Sequence, residues 1–328
     1  SRMRFERPFL RLPIRFCAET LASEVAALPR SAWMPHPQKF PGNESVPLVS
    51  PGGRTTDSWQ GPMAATPHLL NSPYMKALLA ELGGVWGRSR LMGLAPGAEV
   101  PVHVDIHYYW RTHIRIHIPV VTNPDVRFTC GDEAVHMAPG ECWTFDSFRL
   151  HHVRNGGAEQ RIHLVIDTVG GQRIWELADA ARGGAEPPMQ PWLPRPGDEE
   201  RRTPRYERTN LPDLMSPWEI QSHIEFICAH AQAHPKLQAG ISRLDKFLDS
   251  WRAAWAEFGD LDEGLPAYRA LVEGARRDLR ALIGDQVLLH NTAPLYHALE
   301  AIVFTKAVSP AKAPQSLGLS PAALGAAR

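Results

Sequence analysis

His113-Ile114-Arg115-Ile116-His117-Ile118 and Arg161-Ile162-His163-Leu164 alternate with a period of two. Successive side chains of a strand face opposite ways, so the aliphatics take one face and Arg and His the other. The same period predicts short strands over 90–94, 100–105, 113–121, 126–130, 134–137, 141–145, 151–155 and 161–169. Turn signals separate them: Pro96-Gly97, Asn123-Pro124-Asp125, Gly131-Asp132, Pro139-Gly140 and Gly156-Gly157. Many short strands with such turns predict a mainly β fold with α elements. Its core over 88–175 reads as a double-stranded β-helix, a jelly roll of the cupin kind.

The alternation also places chemistry. His103 and Asp105 share a face of the 100–105 strand, and a distant imidazole follows at His151 or His152. Those two are adjacent, so they face opposite ways and only one can join the pair. Two imidazoles and a carboxylate are the ligand set of the facial triad that holds non-haem Fe(II) in oxygenases. Two further strands turn Arg115 with His117, and Arg161 with His163, toward the same interior. An ordinary core does the reverse, because an unpaired buried Arg is costly. The inward guanidiniums therefore call for an anionic partner, which a dicarboxylate co-substrate would supply through charge-assisted bonds. His107 reads as a pocket or loop residue, His113 and His136 as structural or solvated. Trp143 and Phe145 share a face and read as core.

Composition sets outer bounds. Lys+Arg and Asp+Glu are both 35 in 328 residues, so no net field favours nucleic acid or an acidic membrane. The four cysteines are scattered without a CxxC pair, which excludes a zinc ribbon and fits a reducing compartment. No run approaches a membrane span. A cytoplasmic protein is the expectation.

The ordered run Leu94-Ala95-Pro96-Gly97, His103-Val104-Asp105, Arg115-Ile116-His117, His136-Met137-Ala138-Pro139-Gly140-Glu141-Cys142-Trp143, Phe145-Asp146, His151-His152-Val153 and Arg161 resembles the aspartyl/asparaginyl β-hydroxylase family. It is also similar to the bacterial free-proline hydroxylases, which share the His-Met-x-Pro-Gly-Glu-x-Trp run. The resemblance implies a non-haem iron, 2-oxoglutarate-dependent dioxygenase with His103, Asp105 and His151 as catalytic metal ligands. It further implies that Arg161 binds the distal carboxylate of 2-oxoglutarate, and that Arg115 and His117 contact co-substrate or substrate. Fe(II), 2-oxoglutarate and O2 are the implied cofactors, with ascorbate as a stimulant. The implied reaction hydroxylates an unactivated C–H and yields succinate and CO2. The family's animal aspartyl hydroxylases lack the triad carboxylate, whereas Asp105 is present here. A family serine for 2-oxoglutarate falls near Met92.

The flanks are less regular. Residues 1–87 read as a short edge strand, two helices and a long Pro-rich loop between Pro29 and Pro73, with Ser72 as a helix N-cap. Residues 176–215, with the charge run Asp198-Glu199-Glu200-Arg201-Arg202, read as a Pro-rich linker or strap. A helical domain spans 216–308: Ser216-Pro217-Trp218-Glu219 is a capping box, and Leu244, Leu248, Trp251 and Trp255 recur at helical spacing. It is a candidate for homodimerisation or for closing the active site. The tail 309–328 reads as mobile. Alternatives remain: a metal cupin that ignores 2-oxoglutarate, and a non-catalytic binding module. The substrate is an amino acid, free or as an Asp/Asn-type residue in a peptide; residues 36–62 and the helical domain would decide which.

Overall fold

The computed structural model describes residues 5–198 and 202–310. They form two compact units, one of residues up to 211 with 291–293, the other of 212–290 and the residues after 293.

The first unit is built on thirteen strands: β1 (Phe9–Arg15), β2 (Met34–Pro35), β3 (Asn43–Pro51), β4 (Met63–Ala65), β5 (Val85–Leu94), β6 (Glu99–His103), β7 (Ile114–Val121), β8 (Val126–Cys130), β9 (Glu133–Val135), β10 (Glu141–Phe145), β11 (His151–Asn155), β12 (Arg161–Thr168) and β13 (Arg205–Tyr206). A large sheet runs β1-β10-β7-β12-β5-β3-β2, with β4 beside β3 and β13 beside β5; a small sheet runs β6-β11-β8-β9. Between the sheets lie Phe9, Leu94, Val126, Phe128, Met137, Phe145 and Val153. The fold is the expected double-stranded β-helix with helices.

The outer face of the large sheet carries the aliphatics. Ile114, Ile116 and Ile118 of β7 and Ile162, Leu164 and Ile166 of β12 pack with Leu21, Leu78 and Leu177. Those come from helices α1 (Ala18–Ala26), α3 (Pro73–Leu82) and α4 (Gln172–Arg182); α2 is the short turn Pro67–Leu70. The period-two reading of β7 and β12 thus sorts the outer core from the polar interior. The motif Pro139-Gly140 turns the chain into β10: Gly140 has φ +78°, and a Cβ there would lie 2.2 Å from the Phe16 carbonyl oxygen.

The strand bounds correct several expectations. The sheet is not confined to 88–175, because β1 and the nine-residue β3 belong to it. β3 is hidden by its prolines. Pro47 sits at a register shift against β5, where a missing N–H is tolerated. The segment 176–215 starts inside α4 and then runs along the barrel, with β13 parallel to β5. Ser72 does not cap α3 through its side chain; the Glu24 carboxylate accepts from Tyr74 N and Met75 N at 2.6 and 3.0 Å. Part of the charge run 198–202 and the tail beyond residue 310 lie outside the described residues.

The second unit contains α5 (Pro217–Ala229), α6 (Leu237–Phe258), α7 (Leu265–Leu282) and α8 (Leu295–Leu299), the last running into a π-turn over Glu300–Phe304. Ser216 Oγ caps α5 by accepting from Glu219 N. Trp251 is fully buried, packs its ring 4.6 Å from that of Tyr268 and donates its indole N–H to Met215 O. The tryptophan stripe is therefore anchored in core. No described helix is long and apolar enough to cross a membrane.

Candidate metal centre

His103 ends β6 and His151 begins β11, and the two are direct cross-strand partners. Their rings lie 4.1 Å apart. Each ring is fixed from behind: His103 Nδ1–H donates to Pro101 O at 2.7 Å and His151 Nδ1–H to Arg149 O at 2.8 Å. Both Nε2 atoms then carry the lone pair and face Asp105, at 3.9 Å each. Asp105 is not on the strand, which stops at His103. It reaches the same point because its backbone N–H is tied to Ser147 O at 2.9 Å. The three residues offer ligand atoms within 4.8 Å of one another.

The donor set fits a divalent metal on two physical grounds. Burial holds the His151 imidazole down to about 4 against the pull of Asp105, so it is neutral and ligating at neutral pH. Asp105 Oδ2 is buried with no hydrogen-bond partner, a costly state for a carboxylate oxygen unless a cation meets it. His152 takes the opposite face of β11 and is outside the set.

The interior of the large sheet carries the cations. Arg161 is 3% exposed, its Nε has no partner, and no carboxylate pairs with it among the described residues. Burial alone pushes its guanidinium down to about 10. His117 and His163 meet through their Nδ1 atoms at 3.1 Å. Burial, reinforced by Arg115 and Arg161 for His117 and by Arg161 for His163, holds both well below the usual imidazole value, so both are neutral.

Arg115 differs from expectation. The anion expected from a bound dicarboxylate is supplied by the protein: Asp167, its direct partner across β7 and β12, accepts from Nε at 2.9 Å and from a terminal nitrogen at 3.2 Å. The guanidinium also lies 4.4 Å from the Trp110 ring centre. Burial works against both charges, yet each sustains the other: Arg115 is pushed up and Asp167 is held below the ordinary carboxylate value. Asp167 lies on the same face as Arg161 and His163, so continuing the alternation by four residues would have found it.

Two more arginines escape the sequence reading. Arg88 and Arg90 of β5 both bind Asp57, a residue of the loop between β3 and β4. The Tyr109 hydroxyl links the groups: it donates to Asp167 at 3.3 Å and accepts from Arg88 N at 3.1 Å. His113 is buried and stacked on Tyr109 at 3.7 Å, with Nε2 2.7 Å from Glu207 of the segment after β13. A separate cavity of about 490 Å³, bordered by Phe9, Arg11, Glu133 and Trp143, contains none of these groups.

Residues 45–170 match the aspartyl/asparaginyl beta-hydroxylase family. The match bears out the resemblance read from the sequence, and with it the general reading of a hydroxylase-type oxygenase. None of the curated proteins matches. Among solved structures, a 2OG-Fe(II) oxygenase family oxidoreductase from Burkholderia pseudomallei is similar at 14% identity and TM-score 0.34, over 48% of this chain and 80% of that one. A protein from Thermus thermophilus is similar at 26% identity and TM-score 0.21, over 25% and 70%. A cupin-superfamily sugar phosphate isomerase from Silicibacter pomeroyi is similar at 17% identity and TM-score 0.26, over 44% and 73%.

Proposed function

We propose that this chain is an Fe(II)- and 2-oxoglutarate-dependent dioxygenase that hydroxylates an unactivated C–H of an amino acid or of an Asp/Asn-type residue in a peptide. The observation that carries the reading is a pair of unmet, opposite needs in one barrel: a His-Asp-His set with an orphaned carboxylate oxygen, and a buried arginine that no carboxylate meets among the described residues. A metal answers the first and the far carboxylate of a keto diacid the second. A metal cupin that ignores 2-oxoglutarate would have no use for an uncompensated Arg161.

His103, Asp105 and His151 would hold the metal on one face, and Arg161 would orient the co-substrate by its distal carboxylate. Iron held there together with a keto acid would supply the oxidising chemistry with O2, succinate and CO2 being the expected co-products. The protein's own part is positional. Pro101 O and Arg149 O set the imidazole tautomers, Ser147 O places Asp105, and Phe145 packs against His151 at 4.9 Å to keep its ring dry and oriented.

Anaerobic titration of the Fe(II)-loaded protein with 2-oxoglutarate tests this. A visible metal-to-ligand charge-transfer band is expected, lost in His151→Ala and kept in His152→Ala. Iron binding without a band would replace this reading with the other metal-cupin class.

A further inference from the structure

Asp57 is placed oddly for a structural counter-ion. It lies on residues 52–62, which contain neither helix nor strand. Within the loop Ser58 N donates to Thr56 Oγ1 and Gln60 N to Ser58 Oγ, and Asn210 ties its far end by accepting from Gly61 N and donating to Trp59 O. At Asp57 it is held to the barrel by guanidiniums: Arg90 and Arg88 bind the carboxylate, and Arg88 also donates to Asp57 O at 2.9 Å. The two arginines are on a strand and nearly buried, with side chains 14% (Arg88) and 6% (Arg90) exposed, while the Asp57 side chain is 22% exposed. Asp167, the counter-ion that belongs to the sheet, is 1% exposed. One carboxylate spread over two guanidiniums leaves donors unused, and Arg88 Nε is buried with no hydrogen-bond acceptor.

The pair borders the metal centre. Arg88 Nε is 3.9 Å from Asp167, which clamps Arg115, and Arg115 feels the charge of Asp105. Trp59, two residues past Asp57, sets its ring 4.9 Å from His107, two residues past Asp105. A loop carrying a carboxylate thus lies beside the metal ligands, on a rigid pair of cations that would suit a carboxylate from outside.

We propose that Arg88 and Arg90 form a subsite for a substrate carboxylate, and that Asp57 fills it as a stand-in which the substrate displaces. This rests on the oxygenase reading above and makes the substrate a carboxylate-bearing molecule whose acid group is read on β5, on the opposite flank of β12 from the groups of β7.

The test uses the full chain, Fe(II)-loaded and saturated with 2-oxoglutarate under anaerobic conditions, titrated calorimetrically with N-acetylglycine and with its neutral isostere N-acetylglycinamide. The acid is expected to bind in preference to the amide. Asp57→Asn and Asp57→Ala are expected to bind the acid more tightly, on the order of tenfold, because an internal competitor for charge-assisted bonds is gone. Arg90→Gln is expected to lose the preference for acid over amide. Equal or weaker binding in both Asp57 variants, no binding by wild type and variants alike, or an undiminished preference in Arg90→Gln would overturn the proposal. The charge-transfer band is read in the same samples. Its absence sinks the oxygenase reading, while the acid-over-amide comparison still judges the subsite on its own.

Discussion

Replacing Arg161 with Met should stabilise the protein without ligand and remove its response to 2-oxoglutarate. Arg161 is 3% exposed and has no carboxylate partner among the described residues. Burial alone holds its guanidinium at about 10, well below the ordinary arginine value. That puts a penalty on the order of 3 kcal/mol on the charged form. The folded value lies below the unfolded one, so for this cation the penalty is complete below about pH 10 and fades as pH rises from there toward the ordinary arginine value. At neutral pH the wild type carries all of it. Met keeps much of the length and removes the charge, and such exchanges of buried charge for apolar volume are often stabilising by about 1–4 kcal/mol.

For a unit of about 200 residues, each kcal/mol moves Tm by roughly 2–4 °C. Calorimetric melting of the metal-loaded, ligand-free protein should show Arg161→Met above wild type by about 6–12 °C. Addition of 2-oxoglutarate at about 100 Kd should raise wild type by the equivalent of ~2.7 kcal/mol and leave the variant unmoved. A ligand-free variant that melts below wild type would mean that Arg161 has a partner inside the barrel. A variant still stabilised by 2-oxoglutarate would mean that another group holds the distal carboxylate.

Asp167→Asn leaves Arg115 buried without its counter-charge and should cost about 3–5 kcal/mol, read as a lowered urea midpoint. The folded carboxyl of Asp167 sits below its ordinary value, so its contribution is present above the unfolded pKa and is lost as pH falls through the folded one; the variant should lack that acid limb. Gly140→Ala puts a Cβ 2.2 Å from Phe16 O at φ +78° and should destabilise by roughly 2 kcal/mol or more in the same assay, whereas an unaffected midpoint would show that the turn into β10 gives way freely. Trp251→Ala empties the centre of the helical unit and takes the indole donor from Met215 O, at a cost of about 3–5 kcal/mol measured by circular dichroism melts.

The barrel and the facing of His103 are legible because both depend on a period of two, while the family resemblance is what separates His151 from His152. In β7 and β12 that period separates Ile116 and Leu164, which pack outward, from His117 and His163, which meet inside. Other parts leave no periodic trace. β3 reads as loop because Pro47 and Pro51 interrupt a strand that survives through a register shift. Asp105 reaches its place through a tether to Ser147, in the turn before β11, and not through the strand expected to carry it. Alternation gives the face a residue takes but not the partner it finds. The pairing of Arg115 with Asp167 is a matter of register between strands far apart in sequence, and no local pattern contains it.

That distinction bears on function. Four arginines, Arg88, Arg90, Arg115 and Arg161, stand at or near the inner face, and the sequence alone treats inward cations as equivalent signs of an anionic ligand. The structure ranks them. Arg115 is answered by a buried strand carboxylate, which suits a fixed element of the site. Arg88 and Arg90 are answered by a loop carboxylate that is partly exposed, which suits an exchangeable ligand. Arg161 is answered by no carboxylate among the described residues, which suits an obligatory co-substrate. A permanent partner costs nothing further on binding, a loop partner must leave, and an absent one makes the ligand part of the folded state's own stability. The three degrees of compensation therefore separate three roles for one residue type, and each role is open to the melting and titration experiments above.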